Sequence, residues 1–167
     1  MNDDFVSLYA YNRWADRRVL DACRKLTPEQ YAAEPVPGWS SVRSSLVHIA
    51  VVTNNWLRRV AGEEVLTALP PETDFPALAD VERLLDRADR TWESLLPTLT
   101  PEGLTTARTF RGSRGSAVLP PWAVLRHVVN HSTYHRGQVA SKLKRFGVEA
   151  PATDFVLWVS EQVPQQG

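Results

Sequence analysis

The chain has 167 residues, of which 43% are hydrophobic and 23% charged, close to the averages for one compact globular domain. Basic and acidic residues number 19 each, which leaves no excess positive charge for the phosphate contacts that dominate nucleic-acid binding. No segment approaches the ~18 to 20 apolar residues that cross a bilayer, and the N-terminus lacks the features of a signal peptide. We therefore expect one domain over residues 1–163, a disordered tail at 164–167, a cytoplasmic location, and neither nucleic-acid nor membrane binding.

The first helical stretch runs from about Asp3 to Leu26, where apolar residues recur at a spacing near 3.6. The single cysteine, Cys23, lies within this pattern. It cannot form an internal disulfide, and we expect a packed thiol there. Thr27 and the following Pro-Glu-Gln have the composition of a capping box, which predicts a short helical turn.

A second helix should begin after Ser40 or Ser41, either of which can cap it, and Gly62 should end it. This stretch contains LVHIAVV, which is apolar on almost every side and includes His48. A helix of this kind is buried on more than one face. We therefore expect it to be a central member of a helical bundle.

The third helix, from about residue 77 to 96, is an ordinary amphipathic pattern. The following segment, 105–119, has Gly and Ser at its centre and predicts a loose hairpin or an extended loop. Arg108, Arg111 and Arg114 make it locally basic. A basic loop folded over a binding site would suit a carboxylate-bearing ligand, although a solvated loop is the simpler interpretation.

The fourth helix should follow Pro120 and Pro121 and extend to about Phe146, where Gly147 can supply a left-handed cap. A final short helix is predicted near 154–162. The β-branched alternation that is typical of strands is scarce throughout. The fold class that we predict is all-α: a four-helix antiparallel bundle with a short C-terminal helix and a long loop or hairpin before helix 4.

The segment RHVVNHSTYHRGQ, residues 126–138, carries the residues with the clearest chemical meaning. His131 and His135 are four apart, so they lie about 40° apart on a helix and one turn from each other along it. Both imidazoles can then face one metal ion. The apolar positions of the helix place His135 inward and His131 at the margin of the core. His127 lies further toward the polar side and is a weaker candidate.

The same spacing also arises by chance, with the two histidines simply hydrogen-bonded. Burial favours a metal site, because an unpaired polar group in a core costs several kcal/mol. A third ligand would define the geometry, and His48 is the remaining histidine in a strongly apolar segment. Periodicity leaves open the direction in which His48 points.

Three motifs occur in a fixed order: YNRWAD at 11–16, WSSVRSSLVHIA at 39–50, and HVVNHSTYHRGQ at 127–138. By these motifs nearly the whole chain resembles the DinB/YfiT-like family of helical-bundle metalloenzymes. The resemblance implies a three-histidine metal site at His48, His131 and His135. It also implies a homodimer, and a chemistry that is either hydrolase-like or a transfer involving thiols such as bacillithiol or mycothiol.

Three neutral nitrogens favour Zn²⁺, with Ni²⁺ or another divalent ion as alternatives, and three protein ligands leave a position open for water or substrate. We therefore expect a metal-dependent thiol S-transferase or hydrolase that activates a thiol cofactor or water toward a small electrophilic substrate. Arg136 is a candidate for holding an anionic substrate group, or else for a surface ion pair. The alternatives are a stress-associated metal-binding bundle without catalysis and a DNA-linked factor, which the neutral charge disfavours.

Overall fold

The computed structural model of the chain describes residues 2–65, 67–112 and 115–163, without the side chains of residues 2 and 3. The predicted disordered tail at 164–167 lies outside these residues. The described helices are α1 (Asn2–Cys23), α2 (Pro28–Ala32), α3 (Val42–Val60), α4 (Leu78–Leu95), α5 (Pro101–Thr105), α6 (Pro121–Arg145) and α7 (Phe155–Gln162). None of these helices is long and apolar enough to cross a membrane.

The four long helices, α1, α3, α4 and α6, form the bundle. The helix α3 packs against α4 and α6, and α1 closes the ring by packing against the same two helices. The apolar run in α3 explains its place, because Val47, Ile49 and Val51 point in different directions and all are buried. The prediction of an all-α bundle with a central second helix is therefore confirmed.

Local capping chemistry determines where the helices begin. The Thr27 hydroxyl accepts a hydrogen bond from the backbone N–H of Gln30, whose side chain in return accepts from the N–H of Thr27. At α3 the cap is Ser41 rather than Ser40, and its hydroxyl accepts from the N–H of Ser44. Each cap satisfies backbone donors that have no partner within the helix.

The first helix ends earlier than predicted, at Cys23 instead of Leu26. The N–H groups of Lys25 and Leu26 bond to carbonyls three residues back, at 3.2 and 3.0 Å, which tightens the chain into a turn. The next residue, Thr27, must be extended to cap α2, so the helix cannot continue through it. Cys23 itself is buried, and burial raises the pKa of its thiol to about 12, which confirms the prediction of a packed thiol.

A β-hairpin fills the segment before α6, as one of the two predicted alternatives. Its strands are β1 (Arg108–Gly112) and β2 (Gly115–Leu119), which pair antiparallel. Phe110 is buried between the hairpin and the bundle, and its ring lies 6.3 Å from that of Trp56 on α3. The guanidinium of Arg108 donates to the carbonyl of Val60. The hairpin is thus docked on the end of α3.

Of the three basic residues assigned to this segment, Arg108 is occupied by its contact with α3 and Arg111 is exposed. Arg114 lies outside the described residues. The short helix α5 was not predicted from the sequence. Thr100 caps it by accepting a hydrogen bond from the N–H of Gly103, and a proline at its first position fixes the backbone as in α2.

Candidate metal centre

Three histidines from two helices converge at one point of the bundle. His48 comes from α3, while His131 and His135 come from successive turns of α6, and the close packing of these two helices brings them together. One nitrogen from each ring can be chosen so that all three nitrogens lie within 4.8 Å of one another. All three side chains are half-buried. The structure therefore joins the pair that spacing predicted to the third histidine that the family resemblance implied.

The separation of the ring nitrogens agrees with what a shared metal ion requires. The Nε2 atoms of His48 and His131 lie 3.1 Å apart. Two nitrogens bound tetrahedrally to Zn²⁺ at their usual bond length are about 3.3 Å apart. The ring centroids are also close, at 4.4 Å for His131 and His135 and 4.5 Å for His48 and His135. Small side-chain adjustments would suffice for all three rings to bind one ion.

The environment keeps two of these imidazoles neutral, which is the form that binds metals. Burial lowers the pKa of His131 to about 3, and the neighbouring histidines, His135 first, act in the same direction. Burial, followed by the charge of a protonated His135, also lowers the pKa of His48. At neutral pH both rings therefore carry a free lone pair.

A hydrogen bond sets the tautomer of the third imidazole. The Nδ1 atom of His135 lies 2.8 Å from Oε1 of Gln138, one turn further along α6. Because an amide oxygen only accepts hydrogen bonds, Nδ1 carries the proton and the lone pair is on Nε2. A histidine ligand is commonly held in this way by a second residue behind it.

His135 lies nearer the surface than its helical position suggested. The helical positions placed His135 inside and His131 at the core margin, and the structure leaves both half-buried, as predicted for His131 but not for His135. It is Nδ1 of His131 that is shielded from solvent, and this atom has no hydrogen-bond partner among the described residues. Helical position gives only the direction of a side chain, while depth depends on which elements cover it. The ring of His48 on α3 packs against that of His131, with the centroids 4.9 Å apart.

His127 stays outside the cluster, in keeping with its weaker prediction. It is exposed, and its ring packs at 5.5 Å from that of His131 and at 5.8 Å, edge to face, from that of Trp56. Tyr134 is 66% exposed and packs edge to face against His135 at 5.0 Å. Aromatic side chains therefore border the three histidines on two sides.

Arg136 fulfils neither role considered for it. It is 1% exposed, and its Nη1 atom donates to Oδ1 of Asp16 at 2.8 Å and to Oδ1 of Asn12 at 2.7 Å. Nη2 donates to the hydroxyl of Thr133. The arginine is thus part of a buried network between α1 and α6 and is not available to a substrate. The only sequence signal for this network is the spacing of Asn12 and Asp16, two polar residues one turn apart on the core side of α1.

Comparison with known proteins agrees with the fold and identifies the family. The family model described as "DinB family" matches residues 1–166. The curated "Protein DinB" of Bacillus subtilis (strain 168) is 26% identical over 166 residues, which are 95% of this chain and 95% of that protein. The crystal structure of a DinB-like protein from Bacillus cereus ATCC 10987 superposes with a TM-score of 0.66 at 22% identity, covering 90% of this chain and 95% of that one. The likeness to that structure supports the fold, and the match of the family model over almost the whole chain shows that this protein belongs to the DinB family.

Proposed function

We propose that the protein binds one divalent metal ion through His48, His131 and His135 and uses it to activate a thiol cofactor or water toward a small electrophile. The observation that supports this proposal is the convergence of three half-buried imidazoles with their nitrogens within 4.8 Å. Nitrogen ligands of this kind favour Zn²⁺, with Ni²⁺ as the alternative.

The number of ligands favours a reactive site over a structural one. Among the described residues, no fourth histidine, cysteine or carboxylate joins the cluster. Structural zinc sites are closed by four protein ligands, whereas catalytic sites keep one position for water or substrate. A bound divalent ion would supply Lewis acidity, which lowers the pKa of a coordinated water or thiol.

The roles of the chain's own residues follow from their contacts. His48 and His131 present neutral nitrogens because burial lowers their pKa. Gln138 holds His135 in the matching tautomer. The exposed ring of Tyr134 packs against His135, and His127 packs against His131, so that a small apolar electrophile could be held against these rings. Cys23 takes no part, since it is a buried thiol in the core between helices.

Metal analysis of purified protein and single variants tests the site. The wild type should contain close to one divalent ion per chain, and His48→Ala, His131→Ala and His135→Ala should each lose most of it. His127→Ala is the matched control, because His127 lies on the same helix and contacts His131 without joining the cluster. Full metal retention in the three ligand variants would refute the proposed site.

A second experiment separates an enzyme from a metal-binding bundle without catalysis. Metal-loaded protein is incubated with a panel of small electrophiles, with and without bacillithiol, mycothiol or cysteine. Loss of free thiol and hydrolysis of the electrophile are both followed against the metal-free protein. Catalysis predicts a rate that depends on the ion and disappears in His131→Ala. If no thiol and no hydrolysable substrate is turned over, the non-catalytic alternative is favoured.

A further inference from the structure

A cavity of about 320 Å³ is lined by Trp39, Ser40, Gln138, Ser141 and Lys142, and none of the three histidines belongs to this lining. Gln138 connects it to the metal centre, because its Oε1 atom bonds to His135. Along α6, His135 and Lys142 are seven residues apart, which corresponds to about 10 Å of helix. A ligand that extends about 10 Å along α6 from Lys142 would therefore end beside His135.

A buried cation forms one side of this cavity. Lys142 is 4% exposed, and its ammonium donates to Oγ of Ser45 at 2.5 Å, to Oγ of Ser40 at 2.8 Å and to the carbonyl of Ser41 at 3.2 Å. All three acceptors are uncharged. A buried ammonium ordinarily has an anionic partner, and no carboxylate lines this cavity.

Glu72, the acidic residue that acts on Lys142, is already paired with another side chain. Glu72 acts on Lys142 from a distance and raises its pKa, but the larger effect is burial, which lowers it. The carboxylate of Glu72 is paired with Arg43 at 3.1 Å. When it is protonated, Lys142 is therefore hydrogen-bonded only to uncharged acceptors at the wall of the cavity.

Two hydrogen-bond donors next to this charge are free to bind a ligand. Since Oγ of Ser40 accepts from Lys142, its hydroxyl hydrogen remains available, and Ser40 is exposed. Since Oε1 of Gln138 accepts from His135, its Nε2 amide group remains available as well. Neither donor has an acceptor among the described residues. Two donors backed by a cation are the arrangement that a carboxylate prefers.

We propose that this cavity is an anion subsite, which binds the carboxylate of a substrate or thiol cofactor through Ser40, Gln138 and the charge of Lys142. The inference extends the proposed function, because the other end of such a ligand would lie at the metal centre. The class of ligand is then a small molecule with a carboxylate group at one end and a reactive group at the other.

The test uses succinate as a probe and succinamide as its uncharged analogue of the same shape. Both are titrated into the ¹⁵N-labelled full-length protein at constant ionic strength, and amide signals are followed by NMR. Succinate should shift the backbone signals of Ser40 and Ser141 and the side-chain amide of Gln138 in a saturable manner. Succinamide should bind at least about tenfold more weakly, because it lacks the charge.

Variants assign the binding to these residues. Lys142→Met should weaken succinate binding about tenfold, while Lys144→Met, an exposed lysine on the same helix, should leave it unchanged. Ser40→Ala removes a donor from an exposed residue, so it tests the subsite even if Lys142→Met does not fold. Equal affinity for succinate and succinamide, or unchanged succinate binding in Ser40→Ala, would overturn the proposal.

Metal content is measured on the same samples. The three variants should retain the ion found in the wild type, since none of them replaces a histidine. A wild type that binds succinate without holding any metal would leave the anion subsite standing and refute the metal site. A wild type that holds metal but does not bind succinate would refute the anion subsite and leave the metal site standing.

Discussion

The hydrogen bond between Gln138 and His135 gives a single side chain control over the orientation of an imidazole. If Gln138 is replaced by alanine, Nδ1 of His135 loses its acceptor, and the ring is free to rotate and change tautomer. Loss of such an outer partner lowers metal affinity by about 10- to 100-fold in known metal sites. We expect Gln138→Ala to weaken zinc binding by this amount, as measured by competition with a chelator of known affinity.

The control for this change is Ser141→Ala. Ser141 is exposed, lies one turn from Gln138 on the same helix and donates to the carbonyl of Gly137 without contacting a histidine. The zinc affinity of the Ser141→Ala variant should equal that of the wild type. Equal affinities in Gln138→Ala and Ser141→Ala would mean that the amide does not orient His135.

Among the individual residues of the site, two of the three converging histidines could be predicted from their spacing alone. His131 and His135 had to share a face because the helical repeat places them one turn apart. His48 could not be reached in this way, since its approach to His131 depends on how α3 packs against a helix that follows about 80 residues later. Only the family motifs supplied that contact. Lys142 was missed because nothing in the sequence shows that a lysine near a helix end is buried.

Among the contacts between elements, the buried pair of Asp16 and Arg136 links α1 to α6. The two side chains are 8% and 1% exposed, and removing one partner of a buried ion pair leaves the other charge unpaired. We expect Arg136→Met to lower the free energy of unfolding by about 3 to 5 kcal/mol. Urea denaturation of the metal-free protein, followed by circular dichroism, measures this difference.

The control for this prediction is Arg13→Met. Arg13 lies in the YNRWAD motif, which also contains Asp16. Arg13 is half exposed and pairs with Asp89 at 3.3 Å and with Glu93 at 3.1 Å. Surface pairs of this kind contribute less than about 1 kcal/mol, so the loss should be small. Similar losses in both variants would show that the buried pair has no special role in joining the helices.

The elements themselves were largely predictable, because helical periodicity and capping residues act locally. Ser41, Gly62 and Gly147 mark ends that the structure places within a residue or two of the predicted ones. The exceptions have local causes as well. The helix α5 has only five residues, too few to establish a period, and α1 ends early because the cap of α2 requires an extended residue.

For the molecule as a whole, the bundle followed from the number of long amphipathic stretches and from the apolar run in α3. The ring order of the four helices could not be predicted in the same way, because periodicity identifies the buried face of a helix but not the helix that covers it. This order decides which histidines meet. The family resemblance therefore contributed more to the site than to the fold.

A second copy of the chain is the partner that the family resemblance implies, and one surface suits it. On α7, Val156 is 73% exposed and Val159 36%, and their spacing of three residues puts them on one helical face. Val163, directly after the helix, is 57% exposed. Exposed apolar surface of this kind is typical of protein contacts. We propose that the protein is a homodimer that uses this face.

Light scattering during size-exclusion chromatography measures the mass directly. The wild type should elute at twice the mass of one chain, and Val156→Glu should shift it toward the monomer. Glu161→Gln on the same helix is the control, because Glu161 bonds to Trp14 and Arg18 within its own chain. A wild type of single-chain mass would refute the dimer, and an unchanged dimer in Val156→Glu would place the interface elsewhere.

Because the histidines lie on two different helices, α3 and α6, a bound metal ion would also affect the stability of the fold. His48 and His131 are 83 residues apart in sequence, so an ion held between them would act as a reversible cross-link that closes half of the polypeptide into a loop. Ligands that bind only the native state stabilise it by about 2.7 kcal/mol at a free concentration one hundred times the dissociation constant. Under the proposed function, the melting temperature of this protein therefore depends on the free metal concentration around it, and starvation for that ion would lower its stability together with its activity.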